Sequence, residues 1–275
     1  MPPLPRLLRL IFLLLLAPVL LLLGCQSKLI YHPKPYGEAD RQLLATYEGK
    51  PLNYVTGQGK QVAHYIPPRD GSQVPKTIWI CFSGNGSLAL NWLYQVEDWS
   101  PGFAYLLVDY LGYGDCEGTP SPARIRESSL KAVEALARDL QESPETLKPR
   151  LRVLGHSIGC AAGLMAADDL GAQKVVLIAP FTTLTEMGKR LLGWPLCYVN
   201  MHRFDNRKHL AAAVAQGAEV VIFHGTHDEV IPVAMSRELA AAHPEKVTLH
   251  EMNGQNHNGI LGNVSQEIGA AMSDR

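Results

Sequence analysis

The sequence predicts an α/β fold, a mostly parallel central sheet flanked by helices on both faces. Three observations carry that expectation. Short, almost continuously apolar runs recur at 77–82, 104–108, 151–154, 174–178 and 219–223, the pattern of strands covered on both faces. Helical patterns alternate with them at 122–142, 158–170 and 232–242. Several of the apolar runs give way to polar, often glycine-rich phrases, as in Ser83-Gly84-Asn85-Gly86 and His224-Gly225-Thr226-His227-Asp228. In open sheets of this kind, reacting groups collect at the carboxyl ends of the strands.

Taken in order, the 275-residue chain opens with Arg6 and Arg9, an apolar run over 10–23, and Gly24-Cys25. This is the layout of an export signal, and the run is shorter than the roughly 20 residues that comfortably span a bilayer. Leu22-Leu23-Gly24-Cys25 resembles the lipobox of bacterial lipoproteins. The resemblance implies removal of residues 1–24 and lipidation of Cys25, with acyl chains holding the protein on a membrane. With Gln26 following the cysteine, it further implies passage through the cell envelope to the outer membrane, facing the periplasm. Residues 25–50 read as a tether merging into the first ordered segment, because Pro33, Pro35 and Gly37 interrupt any regular pattern. The main domain is expected over 51–275. It starts with a hairpin, 52–56 and 61–66 across Gly57-Gln58-Gly59, and its last strand is expected at 247–250.

A formal net charge of −1 and the absence of a basic stripe exclude nucleic acid as a partner. No Cys-x-x-Cys pair occurs, and His224, His227 and Asp228 lack further spaced ligands, so neither metal nor cofactor is expected. Cys81 and Cys160 read as buried thiols. Cys116 and Cys197 fall in expected loops and leave a disulfide open in an oxidising compartment. Nothing in the sequence reports the oligomeric state.

The chemistry centres on Gly155-His156-Ser157-Ile158-Gly159, a strand running into Gly-x-Ser-x-Gly and then a helix of small residues. In such a nucleophile elbow the glycines tolerate close backbone approach, and the serine hydroxyl is lifted toward a helix N-terminus. A serine needs a general base and donors for the oxyanion. Elbow enzymes supply the partners in the chain order serine, acid, histidine. Asp228, after the run 219–223, is the expected acid, with Glu229 as fallback, and His257, after the last strand, is the expected base. His156 is expected to point away from the catalytic face, and His224 and His227 to bond structurally beside the acid. The oxyanion donors are expected to be the backbone N–H groups of Ile158 and Asn85.

With Phe82-Ser83-Gly84-Asn85-Gly86, Asp109-Tyr110-Leu111-Gly112-Tyr113-Gly114, Pro180-Phe181-Thr182 and the Asp228 phrase added, the chain from about Leu52 resembles the α/β-hydrolase superfamily. It is most similar to small, nearly cap-less serine hydrolases, among them depalmitoylating thioesterases and bacterial membrane-associated relatives. The resemblance implies an α/β-hydrolase fold with a short lid and a Ser157, Asp228 and His257 triad. Three positions depart from the pattern. Ser83 stands where many relatives carry histidine, Cys116 where serine is common, and Asn258 where an acid often follows the histidine.

Room for a lid lies between 180 and 217. Its phrase Leu191-Leu192-Gly193-Trp194-Pro195-Leu196-Cys197-Tyr198 either walls an acyl pocket or packs under a loop. The expected activity is cleavage of a carboxylic ester or thioester, small or lipid-like, with a hydrophobic acyl group. A peptidase or amidase on the same triad and a non-catalytic envelope lipoprotein are the alternatives.

Overall fold

Eight strands form one sheet: β1 (Lys50–Thr56), β2 (Gly59–Ile66), β3 (Thr77–Phe82), β4 (Phe103–Val108), β5 (Leu151–His156), β6 (Lys174–Ile178), β7 (Glu219–Gly225) and β8 (Val247–Met252). The computed structural model describes residues 6–199 and 201–273. The spatial order is β1-β2-β4-β3-β5-β6-β7-β8. β2 runs antiparallel to both β1 and β4, and every pairing from β4 through β8 is parallel. This is the α/β-hydrolase fold that the sequence predicts. β4 is buried at all six positions, as a central strand covered by helices must be, whereas the edge strand β8 leaves most of its positions exposed or half-buried.

The helices are α1 (Arg6–Ile30), α2 (Glu38–Thr46), α3 (Pro122–Asp139), α4 (Pro144–Leu147), α5 (Ile158–Leu170), α6 (Leu184–Leu192), α7 (Asn206–Ala215), α8 (Val233–Ala241), α9 (Ile260–Asn263) and α10 (Ser265–Met272). α3 begins where Ser121 accepts a hydrogen bond from the Arg124 N–H and Pro122 occupies the first turn. α5 buries 11 of its 13 residues. Its small side chains permit that, since a Cβ on Gly163 would stand 2.8 Å from Val153 Cγ1 of β5.

One expectation needs correction. The segment read as a tether merging into the first ordered part is itself ordered: α1 runs on to Ile30, Tyr31 and Tyr36 are buried, and α2 follows. Lys34 accepts a 2.8 Å backbone hydrogen bond from the Gly114 N–H. Prolines rule out a regular element there but not docking through hydrogen bonds and two aromatic rings. The side chain of Cys25 and residues 1–5 lie outside the described residues. The structure answers the question left open for Cys116, which is buried with its Sγ 3.3 Å from the Val62 backbone nitrogen. Cys81, Cys116, Cys160 and Cys197 are all buried free thiols, so no bridge joins Cys116 to Cys197.

Candidate active site

The carboxyl ends of β5, β7 and β8 converge on one point. Ser157, in the turn from β5 to α5, has φ 56° and ψ −120°, a backbone conformation that a non-glycine residue rarely adopts. Its glycine neighbours make the turn possible. A Cβ on Gly155 would lie 2.5 Å from the Gly159 carbonyl oxygen, and one on Gly159 would lie 2.2 Å from that of Phe82. No side chain fits at either distance.

Ser157 Oγ is 3.0 Å from His257 Nε2, and His257 Nδ1 is 2.7 Å from Asp228 Oδ2. The structure therefore brings together the three side chains chosen from sequence. Ser157 and His257 are buried, and the Asp228 carboxylate is fully shielded from solvent. Burial pushes the Asp228 pKa up, but hydrogen bonds from His224, His257 and the Ile231 N–H more than offset it. The carboxyl sits well below the usual carboxylate range and stays ionised, the state that accepts the imidazole Nδ1 proton and favours a positive charge on the ring.

His224 bonds beside the acid, as its place in the sequence leads one to expect. Its Nε2 lies 3.2 Å from Asp228 Oδ2 and 2.9 Å from the Ile231 carbonyl, and its Nδ1 lies 2.6 Å from Ser236 Oγ. It meets the same carboxylate oxygen that His257 Nδ1 meets. The spacing of four residues to Asp228 was visible, but only the chain reversal after β7 makes it a contact. Glu229 takes a lesser place, with Oε2 3.4 Å from the His257 backbone nitrogen. His227 is exposed.

His156 departs from expectation. Strand alternation sends it away from Ser157, yet its Nε2 bonds the His257 carbonyl at 3.1 Å and its ring lies 5.0 Å from the His257 ring. Burial lowers its pKa to about 4, with His257 adding to the effect, so it is a neutral support under the loop.

The Ser83 to Gly86 loop abuts the serine. A Cβ on Gly84 would stand 2.6 Å from His156 Nδ1 and 3.5 Å from Ser157 Cβ. Among the described residues, neither the Asn85 nor the Ile158 N–H donates to another group. Ile158 follows the serine directly at the start of α5, and Asn85 follows Gly84 in the adjoining loop. The Asn85 side chain is committed: its Oδ1 accepts from the His32 N–H at 3.0 Å and the Tyr113 hydroxyl at 2.9 Å, and its Nδ2 donates to the Ile30 carbonyl. The segment after Cys25 thereby holds the loop in place, a contact between distant segments that no local periodicity reveals. Ser83 donates to the Leu88 carbonyl at 3.0 Å and so closes the same loop.

A second buried carboxylate lies nearby. Asp109, at the end of β4, accepts from the Tyr36 hydroxyl and, at 2.9 Å, from the Ala89 N–H. Here burial wins over those bonds and lifts its pKa to about 7. Trp92 and Leu93 are core residues, and Tyr94 is exposed. No group of three or more metal-ligating side chains occurs among the described residues.

The comparisons agree with this architecture. Residues 79–216 match the model of the alpha/beta hydrolase family. The chain is 27% identical over 237 residues to the uncharacterized protein Rv2307c of Mycobacterium tuberculosis, covering 85% of this chain and 80% of that one. It is 24% identical over 227 residues to the uncharacterized protein YfhR of Escherichia coli, covering 80% and 74% respectively. Among solved structures, a Pyrococcus furiosus esterase superposes with a TM-score of 0.67 at 14% identity, covering 88% of this chain and 97% of that one. An alpha-beta hydrolase from Vibrio vulnificus gives 0.65 at 17% identity, covering 98% and 95%. At such identities these structures speak for the fold, and the family match speaks for descent: the chain belongs to the alpha/beta hydrolase family.

Proposed function

We propose that the protein is a serine hydrolase, tethered to a membrane of the bacterial cell envelope through lipidated Cys25, that cleaves a hydrophobic carboxylic ester or thioester through an acyl-enzyme. The observation that carries this reading is the line from Asp228 through His257 to Ser157, with hydrogen-bond distances of 2.7 and 3.0 Å.

The steps follow from that geometry. Ser157 Oγ attacks the acyl carbon while His257 Nε2 takes the hydroxyl proton. Ionised Asp228 accepts the Nδ1 proton in a hydrogen bond and stabilises the imidazolium. The Asn85 and Ile158 N–H groups receive the charge that forms on the carbonyl oxygen, at the N-terminus of α5 where negative charge is favoured. Collapse expels the alcohol or thiol, which leaves with the proton from His257. Water then loses a proton to His257, attacks the acyl-enzyme, and releases the acid as Ser157 recovers its proton.

Hydrolysis of p-nitrophenyl esters and acyl thioesters of graded chain length tests the reading. The expected outcome is turnover with a preference for hydrophobic acyl groups. Turnover of neither substrate class by folded protein contradicts it.

A further inference from the structure

Exposed apolar side chains are concentrated at one edge of the molecule. Outside α1, nine large apolar residues are exposed among those described, and five of them, Leu191, Leu192, Trp194, Tyr198 and Met201, lie between 191 and 201. Leu191 is 81% exposed and Trp194 76%. An apolar cluster of this density marks a surface that something covers.

The surroundings indicate what covers it. Leu29 and Ile30 of α1 share the walls of an apolar cavity of about 260 Å³ with Met187, Leu191, Leu192 and Val199. Gln26 Oε1 accepts from the Met201 N–H at 2.7 Å, and Ser27 Oγ lies 3.1 Å from His202 Nε2. The apolar edge is therefore fixed to the residues that follow Cys25 directly, all retained if the chain is cut before that cysteine. Cations border it. Lys28 lies in the last turn of α1, Lys189 and Arg190 in that of α6, and the Arg203 guanidinium donates to the Tyr198 carbonyl. The one acid of α6, Glu186, is engaged by Arg207. An apolar centre bearing Trp and Tyr, bordered by Lys and Arg, matches the interface of a bilayer that contains anionic lipid.

We propose that Leu29 and the 191–201 segment seat in the interface of an anionic bilayer, so that the catalytic domain lies flat against the membrane. The proposal rests on the lipid-anchor reading only for bringing this edge to the membrane. It goes beyond that reading because an anchor alone would leave the domain free to face any direction.

Trp194 provides the readout, since Trp79, Trp92 and Trp99 are buried. Full-length protein is floated with phosphatidylglycerol–phosphatidylethanolamine vesicles whose acyl chains carry bromine, and tryptophan emission is read on the floated fraction. Emission is expected to fall about twofold against unbrominated vesicles, with the loss abolished by Trp194→Phe and weakened when Lys189→Gln and Arg190→Gln are combined. Leu191→Ser with Leu192→Ser is expected to slow hydrolysis of a long-chain ester held in vesicles several-fold and to spare a soluble short-chain ester. Failure to float, floated protein with undiminished emission, quenching that survives Trp194→Phe, or crosslinking of this edge to a second protein without quenching each overturns the proposal. Mass spectrometry of Cys25 on the same sample separates the two ideas. Quenched protein with an unmodified Cys25 supports the seating and overturns the anchor, and unquenched protein with a lipidated Cys25 does the reverse.

Discussion

The elbow and the α6 to Met201 edge stand at opposite extremes of constraint. Around Ser157, Gly155 and Gly159 admit no Cβ, the serine holds a strained φ of 56°, and α5 is buried along almost its whole length. α6 buries none of its residues and ends in the exposed Leu191 and Leu192, and the segment beyond it exposes Trp194, Tyr198 and Met201. The contrast teaches a division of labour. Reaction geometry is set where packing leaves no alternative, and contact with substrate and surroundings is made where packing asks for little.

Substitutions break the comparison at graded strength. Ser157→Ala is expected to cost on the order of a million-fold in kcat, for every ester alike, because it removes the nucleophile. Asp228→Asn keeps the shape but offers His257 the wrong hydrogen-bond partner, and a loss of roughly 10,000-fold is expected in steady-state kinetics. Gly159→Ala forces a Cβ to 2.2 Å from the Phe82 carbonyl oxygen. Chemical denaturation is expected to report a loss of more than ~2 kcal/mol, with activity lost in step. Leu191→Ser, at the other extreme, is expected to change stability by less than ~0.5 kcal/mol and to act only on the chain-length profile. A Leu191→Ser protein as unstable as Gly159→Ala would erase the distinction between the two regions.

The two buried carboxylates sharpen the same point through pH. Asp228 has a depressed pKa in the fold, so its contribution to stability is present above the unfolded carboxylate value and is lost as pH falls. Asp109, lifted from 3.8 to about 7 by burial, works in the opposite sense. The fold binds a proton there that the unfolded chain has released, so its contribution is full below pH about 4 and is lost as pH rises through about 7. Asp109→Asn mimics the protonated acid and is expected to flatten that part of the stability profile. An unchanged slope between pH 4 and 7 in thermal melts would contradict the assignment.

All eight strands were legible to within two residues at either end, because central strands of a parallel sheet advertise themselves as uninterrupted apolar runs. α5 was legible for the complementary reason, a run of small residues after the elbow. The lid helices were not. α6 carries an apolar stripe of Leu184, Met187, Leu191 and Leu192, but over only nine residues, and α7 buries only Asn206, Leu210 and Ala213, so neither stands out as a core helix. The three side chains chosen for Ser157, Asp228 and His257 are the three that meet, since chain order along the sheet edge leaves few candidates. What sequence order does not convey is support from outside the motifs. His156 beneath the His257 loop, and Ile30 and His32 clamped to Asn85, all depend on contacts between distant segments.

The most direct test of the site is reaction of the folded protein with a fluorophosphonate, followed by mass mapping of the adduct. One phosphonyl group on Ser157 is expected, absent from Ser157→Ala and formed far more slowly in Asp228→Asn. Unlabelled wild-type protein, or equal labelling of Ser157→Ala, would contradict it.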